Sequence, residues 1–186
     1  MDQRIEKTKN RLKNALLELL QGNDISNISV TLLCKRAHVN RNTFYSHYNH
    51  VKEVLDEMHE IHEAEIIKAI EESAPTNDFK TLLLHVCEYM YANKEFYTLV
   101  CSNGISGSYL LYMANMSNQH ILSIFKHSFP SMNTDTLRFI NRFTTGGTLL
   151  IIYDWCISGM KQPPEEIVEK LSAVDTFLMN TFLTLS

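Results

Sequence analysis

The sequence predicts an all-α protein of about nine helices. Apolar residues recur at three- and four-residue intervals along most of the chain, which is the period of an amphipathic helix. The 186 residues include only 6 Gly and 4 Pro. No useful length of chain alternates apolar and polar residues, as a half-buried strand would. The chain is therefore divided into helices separated by short polar breaks.

The first predicted helix occupies the segment before residue 21. Leu12, Leu16 and Leu20 fall on one apolar stripe of this segment, and charged residues fill the rest. Gly22 and Asn23 follow, and both residue types accept the left-handed conformation of a helix C-terminus. The helix is therefore expected to end at this point.

Two short helices are predicted next. Ser29 is the expected N-cap of a helix over Val30–Ala37. A tight turn over 38–40 separates it from a second helix over Arg41–Tyr48. Leu32 is among the apolar residues expected to pack the first of these helices. Two short helices joined by a three-residue turn form a helix-turn-helix pattern.

The rest of the chain predicts longer helices. They cover about 51–73, 78–92, 94–102, 106–128, 134–159 and 164–184. Phe129–Ser131 and Gln162–Pro164 break the pattern, and Pro164 with the two acids after it suits a first helical turn. The most apolar stretch, 149–157, is far shorter than the ~20 residues that span a bilayer. We therefore expect a cytoplasmic protein with no membrane partner.

Charge is distributed unevenly along the chain. The net charge is −4, which by itself disfavours a nucleic-acid partner. Residues 1–55 nevertheless hold nine Lys and Arg against five acids, whereas residues 56–186 hold 8 basic and 16 acidic residues. The N-terminal segment is thus +4 and the remainder −8. A basic head of this kind suits a phosphate backbone.

No enzyme constellation accompanies these helices. The sequence has no Ser/His/Asp or Cys/His arrangement, paired acids or phosphate loop, so we predict neither catalysis nor a cofactor. His59 and His62 could share a helix face with Glu63, but the spacing departs from the H-E-x-x-H zinc motif. We favour exposed polar residues there and predict no metal site. A metal-sensing site is the alternative.

The second short helix carries side chains that suit DNA. Arg41 can donate two hydrogen bonds to a guanine edge, and Asn42 can pair with adenine. Tyr45 offers a ring to a thymine methyl and a hydroxyl to a phosphate, which Thr31 can also reach. The alternative is a solvated face of an ordinary helical bundle.

A family resemblance favours the DNA-binding interpretation. Residues 29–55, SVTLLCKRAHVNRNTFYSHYNHVKEVL, resemble the signature of the TetR/AcrR family of bacterial regulators. The matching positions are Val30, Leu33, Ala37, Val39, Thr43, Phe44, Tyr45, His47 and Tyr48. Two positions depart from the pattern. His38 replaces the usual Gly of the turn, and Val51 stands where the family has a phosphate-binding Lys, which makes Lys52 the substitute candidate.

The resemblance implies a three-helix DNA-binding domain over 1–49 and a helical ligand-binding and dimerisation domain over 50–186. It also implies a homodimer on a palindromic operator. Arg41, Asn42 and Tyr45 would then contact bases. The full set of implied DNA-binding residues is Thr31, Asn40, Arg41, Asn42, Thr43, Tyr45, His47 and Lys52.

The C-terminal part is similar, less specifically, to that of short Firmicutes-type members, including regulators of dihydroxyacetone kinase operons. Asn93–Tyr97, Gly146–Gly147 with Asp154–Trp155, and Pro163–Ile167 carry this similarity. The apolar helices over 134–159 and 164–184 are the expected dimer interface.

The candidate pocket residues are His85, Tyr89, Tyr112, Met116, His120, Phe143 and Trp155, although ordinary core packing is the alternative for each. The predicted function is a repressor released by a small-molecule effector. The alternative is an activator or co-regulator whose C-terminal domain binds a protein.

Overall fold

The computed structural model describes residues 3–73, 78–102, 118, 121–127 and 129–185. Every regular element in these ranges is a helix, so the predicted all-α fold class is confirmed. The chain divides into two compact units, Met1–Ala64 and Glu65–Ser186. The predicted boundary after residue 49 concerns function and stays a prediction. No helix within the described ranges is long and apolar enough to cross a bilayer.

The first unit combines short helices with one long helix and the beginning of another. Its elements are α1 (Gln3–Leu20), a 3-10 turn (Ile25–Asn27), α2 (Val30–Ala37), α3 (Arg41–Tyr45) and the first part of α4 (Val51–Ser73). The predicted end of α1 and both bounds of α2 are confirmed. The prediction for α3 is wrong at its C-terminus, because the helix ends at Tyr45 and not at Tyr48.

Helix α3 ends early because polar side chains bond backbone groups in its last turn and just after it. Ser46 Oγ donates a hydrogen bond to the carbonyl of Thr43 (2.7 Å). The backbone N–H of Asn49 donates to the carboxylate of Glu53 (2.6 Å), and its side-chain amide does so as well (3.0 Å). Such side chains offer the backbone an alternative to continued helix. Glu53, in the first turn of α4, therefore holds Asn49 just before that helix begins at Val51.

The core of the first unit consists of apolar side chains from α1, α2 and α3. Leu12, Leu16, Leu33 and Phe44 are all 0% exposed. The expected N-cap is confirmed, since Ser29 Oγ accepts a hydrogen bond from the N–H of Leu32 (3.1 Å). The predicted packing of Leu32 is wrong, because its side chain is 39% exposed. It lies about 100° around the helix from the buried Leu33.

His38 adopts the left-handed conformation at the turn position where the family pattern has a glycine. Its backbone has φ 51° and ψ 45°, and its N–H bonds the carbonyls that end α2. A guanidinium nitrogen of Arg11 donates to its carbonyl oxygen (2.6 Å). The left-handed region is unfavourable for residues with a Cβ atom. The turn therefore carries strain that a glycine would not have.

Replacing His38 with glycine is expected to raise the free energy of unfolding by about 0.5–1 kcal/mol, because glycine adopts positive φ without steric cost. The bond from Arg11 goes to the backbone carbonyl and would remain. Urea denaturation measures the change. In the matched control, Lys35→Gly inside α2, stability should instead fall by about 1 kcal/mol. A lower free energy of unfolding in H38G would contradict the claim that the backbone of His38 is strained.

The second unit consists of the remaining helices. They are the C-terminal part of α4, α5 (Phe79–Ala92), α6 (Lys94–Ser102), α7 (helical over 121–127), α8 (Thr134–Ile157) and α9 (Pro164–Leu185). Helix α5 packs on α9, and α6 packs on α8. The predicted break at Gln162–Pro164 and the helix start at Pro164 are confirmed. Only 118 and 121–127 of the predicted 106–128 helix lie within the described residues.

Aromatic residues form much of the second core. Phe96 and Tyr97 of α6 are 2% exposed, and Trp155 of α8 is 3% exposed. The Trp155 indole N–H donates to the carbonyl of Gln162 (3.0 Å), and its ring stacks on Tyr91 with centroids 6.1 Å apart. Trp155 thus joins α8 to α5 and to the loop before α9.

Helices α8 and α9 together carry exposed apolar side chains, which we call the apolar face. Its members, each at least 45% exposed, are Phe139, Phe143, Leu150, Ile157, Val174 and Phe177. The α8 members are spaced by four, seven and seven residues, so they lie on one stripe of that helix. The rings of Phe139 and Phe182 of α9 are 6.4 Å apart, which joins the two helices.

Candidate nucleic-acid interface and aliphatic cavity

Helix α3 presents an exposed polar surface. Arg41, Asn42, Thr43 and Tyr45 are all exposed on it, while Phe44 is 0% exposed and fixes the helix to the core. The rings of Phe44 and Tyr45 meet edge to face, with centroids 5.4 Å apart. The Arg41 guanidinium lies 6.0 Å from the Tyr45 ring centroid. The structure therefore brings the three predicted base-contacting side chains together.

Asn40 stabilises the start of the helix that carries this surface. It is the N-cap of α3, and its side-chain oxygen accepts a hydrogen bond from the N–H of Asn42 (2.8 Å). The cap does not use the amide nitrogen of Asn40, which can donate a hydrogen bond to a phosphate. Thr31 is exposed in the first turn of α2, and Lys52 is exposed in the first turn of α4. His47 is half-buried beside the ring of Tyr48.

Several basic residues of the first unit form ion pairs within the protein. Lys9 and Lys13 bind Glu57, and Arg36 binds Glu18. Four exposed cations have neither an ion pair nor a side-chain hydrogen bond among the described residues: Lys7, Lys35, Arg41 and Lys52. Arg11 has no ion pair either, but its guanidinium is bonded to the carbonyl of His38. These four are the side chains available to phosphates. The net charge of the segment thus overstates the charge that it can offer to DNA.

Glu57 is a tethering residue that sequence reasoning missed. Its carboxylate accepts hydrogen bonds from Lys9 (2.7 Å), Lys13 (2.8 Å) and the Tyr48 hydroxyl (3.0 Å). It thereby ties α4 to α1 and to the segment after α3. Burial alone would raise the pKa of Glu57, but these hydrogen bonds outweigh it and lower the pKa to about 2. The four-residue spacing of Lys9 and Lys13 was the available signal.

Glu57→Gln is expected to lower the free energy of unfolding by about 1–3 kcal/mol, because two ammonium groups lose a charged partner. The lowered pKa of Glu57, about 2 against an ordinary 4.5, makes this stabilisation pH-dependent. It is fully present above about pH 4.5 and is lost as the pH falls toward 2. Denaturation of E57Q and wild type at neutral and acidic pH measures the difference. A gap between the two proteins that stays constant down to pH 2 would contradict it.

An apolar cavity lies within the second unit, and we call it the aliphatic cavity. It has about 500 Å³ of space between its atoms, open solvent included. Aliphatic side chains of α4, α5, α7 and α8 line most of it, among them Ile66, Ile70, Leu82, Leu83, Ile121 and Ile152. Its polar lining residues in the described part of the chain are Thr145 and Thr148.

The predicted pocket residues that the structure describes do not line this cavity. His85 is exposed, with Nδ1 2.8 Å from Ser73 Oγ. Tyr89 is half-buried against Tyr97, and Trp155 is committed to Tyr91 and Gln162. Phe143 is 64% exposed in the apolar face, on the side of α8 opposite the cavity. Tyr112, Met116 and His120 lie outside the described residues.

The histidine cluster of α4 differs from its predicted environment. His59 and His62 are half-buried rather than solvent-exposed. Burial, then His59 and Lys13, lower the pKa of His62 to about 4, so its ring is neutral at pH 7. Within the described ranges, no three His, Cys, Asp or Glu side chains are grouped to hold a metal ion.

Comparisons with known proteins extend these observations. Residues 77–174, more than half of the chain, match a family model described as a transcriptional regulator C-terminal region. Comparison with curated proteins finds no match.

Solved structures share the fold at low sequence identity. A transcriptional regulator (TerR/AcrR family) from Aquifex aeolicus VF5 has a TM-score of 0.70 and 22% identity, covering 92% of this chain and 99% of that one. The dihydroxyacetone kinase operon activator DhaS has a TM-score of 0.66 and 20% identity, covering 94% and 97%. A TetR transcriptional regulator from Streptococcus agalactiae 2603V has a TM-score of 0.59 and 22% identity, covering 95% and 96%. With the matched family model, these findings place the chain in the TetR/AcrR family of transcriptional regulators.

Proposed function

We propose that the protein is a homodimer that binds a palindromic DNA operator with α3 in the major groove. The surface of α3 is the observation that supports this most directly. Arg41 and Asn42 are exposed, and neither has an ion pair or side-chain hydrogen bond to another described residue. Both are thus available to base edges. Tyr45, beside Arg41, offers its ring and hydroxyl.

The apolar face supports the dimer. Phe139, Phe143 and Phe177 are each more than 60% exposed, which is unusual for the surface of a monomer. Helices α8 and α9 of two copies would bury these side chains in a four-helix bundle. A twofold dimer would present two α3 helices to two half-sites about one helical turn apart. The DNA partner would place the protein in the cytoplasm.

We propose repression relieved by a small molecule as the mode of regulation. The aliphatic cavity supports an effector site, and α4 contributes Ile66 and Ile70 to it. The same helix carries Glu57, which holds α1 and Tyr48. A ligand acts only if it binds one arrangement of α4 more tightly than another.

A second candidate is a DNA-bound activator or co-regulator whose second unit binds a protein. The similar structure named dihydroxyacetone kinase operon activator favours this candidate. Gel filtration with candidate partner proteins and an effector screen by thermal shift separate the two functions. If only proteins bind and no small molecule changes DNA affinity, the effector mechanism fails.

Selection of binding sites from random duplexes tests the proposed function. The full-length protein should select an inverted repeat whose half-site centres lie about 34–36 Å apart, and footprinting should protect both halves. Selection of no sequence, or of a single asymmetric site, would contradict a DNA-binding dimer.

A further inference from the structure

A second pocket in the C-terminal unit has a different chemistry from the aliphatic cavity. Asn118, Leu122, Arg138, Asn141 and Arg142 line it. It has about 550 Å³ of space between its atoms, open solvent included. We call it the arginine pocket.

The charges of the arginine pocket favour an anion. Arg138 and Arg142 are four residues apart on α8, so their side chains lie on the same side of the helix. Arg142 has no ion pair or hydrogen bond among the described residues. Arg138 pairs with Asp135 (3.2 Å), but both side chains are more than 60% exposed, and exposed pairs of this kind contribute little. The two guanidinium groups thus have a single carboxylate partner, that of Asp135, and the pocket keeps a net positive charge.

The amide groups of the pocket are held in place from inside the protein. Asn141 is 1% exposed, and its side-chain nitrogen donates to the backbone carbonyl of Asn118 (3.1 Å) and to its side-chain oxygen. Thr145 Oγ1 donates in turn to the side-chain oxygen of Asn141 (3.3 Å). With its oxygen accepting, the amide of Asn118 keeps two N–H donors.

The arginine pocket and the aliphatic cavity adjoin each other. Thr145 lines the cavity and bonds Asn141, which lines the arginine pocket. Ile121 and Leu122 are consecutive in α7, and one lines each space. Asn141 and Thr145 are separated by about 6 Å along α8, one turn of helix. The linings of the two spaces are therefore neighbours along α7 and α8, one helical turn apart.

We propose that the effector of the second unit is an amphipathic carboxylate. Its carboxylate lies between Arg138 and Arg142, and its hydrocarbon part enters the aliphatic cavity. Guanidinium groups bind carboxylates with paired, charge-assisted hydrogen bonds. The cavity accepts the hydrocarbon but would exclude the charge. This assignment rests on the proposed effector function and defines the chemical class of the ligand.

Isothermal titration of the full-length protein with octanoate and with 1-octanol tests the assignment. Octanoate should bind more tightly than the alcohol. The R138Q/R142Q variant should lose at least about tenfold in octanoate affinity, the loss expected for charge-assisted hydrogen bonds, with binding of the alcohol unchanged. K80Q/K161Q, which removes the same charge elsewhere in the unit, should bind octanoate like wild type. Val86→Phe, which fills the cavity, should weaken binding of both ligands.

The inference is overturned if wild type binds octanoate no better than 1-octanol. It is also overturned if R138Q/R142Q binds octanoate like wild type. DNA binding without ligand separates this failure from that of the proposed function. The R138Q/R142Q variant should bind the selected operator like wild type, whereas a wild-type protein that selects no operator would contradict the proposed function itself.

Discussion

Aspartate in place of both Phe143 and Phe177 is expected to convert the proposed dimer into a monomer. The two rings are 64% and 69% exposed in the single chain, so the change should leave the folded subunit intact. Burying a large apolar side chain contributes about 1.5–3 kcal/mol. Two such losses weaken a dimer by at least about 3 kcal/mol, more than a hundredfold in Kd. The added carboxylates would face each other across the bundle and weaken it further.

Sedimentation equilibrium measures the dimer, and circular dichroism checks that the helices remain. Operator binding should fall with dimerisation, because a monomer contacts one half-site only. Gln162→Asp adds a carboxylate in the exposed loop before α9 and should leave the dimer unchanged. A stable dimer of F143D/F177D would place the interface elsewhere on the molecule.

Arg41→Ala and Tyr45→Ala are each expected to weaken specific operator binding by about 1–3 kcal/mol, roughly 5- to 150-fold. Arg41 can contact a guanine through two N–H donors, and Tyr45 supplies a ring for a thymine methyl. Both side chains are exposed on α3, so their removal should change stability by no more than about 0.5 kcal/mol.

Fluorescence anisotropy with the selected operator and with unrelated duplex measures the loss. The affinity for unrelated DNA should change much less than that for the operator, because phosphate contacts carry no sequence information. Arg36→Ala is the matched control, since its guanidinium already binds Glu18. Unchanged operator affinity in both α3 variants would mean that another surface recognises the bases.

Local signals in the sequence predicted much of the first unit. The cap at Ser29 and the bounds of α2 depend on residues close in the chain, and both predictions are confirmed. The predicted end of α3 was wrong because the hydroxyl of Ser46, just after the helix, bonds one of its last carbonyls. The predicted packing of Leu32 was wrong because an apolar residue next to a buried one in the chain need not face the core.

Long-range contacts account for what sequence reasoning missed. Glu57 binds Lys9 from 48 positions away. The spacing of Lys9 and Lys13 indicates a shared partner, but no local pattern identifies Glu57 as that partner. The lining of the aliphatic cavity comes from α4, α5, α7 and α8, so its composition depends on tertiary packing. Phe143 illustrates the difficulty, since an aromatic residue of α8 suits a pocket or an interface equally well until its side of the helix is known.

The internal ion pairs of the first unit also set how steeply DNA affinity should depend on salt. Each phosphate neutralised releases counterions, and log K falls by about 0.9 per contact for each unit of log salt concentration. If all nine basic residues of residues 1–55 bound phosphates in both subunits, the slope would approach about −16. With Lys7, Lys35, Arg41 and Lys52 as the available cations, it should not exceed about −7. The ion pairs that hold the helices of the first unit together should thus lower the non-specific affinity for DNA.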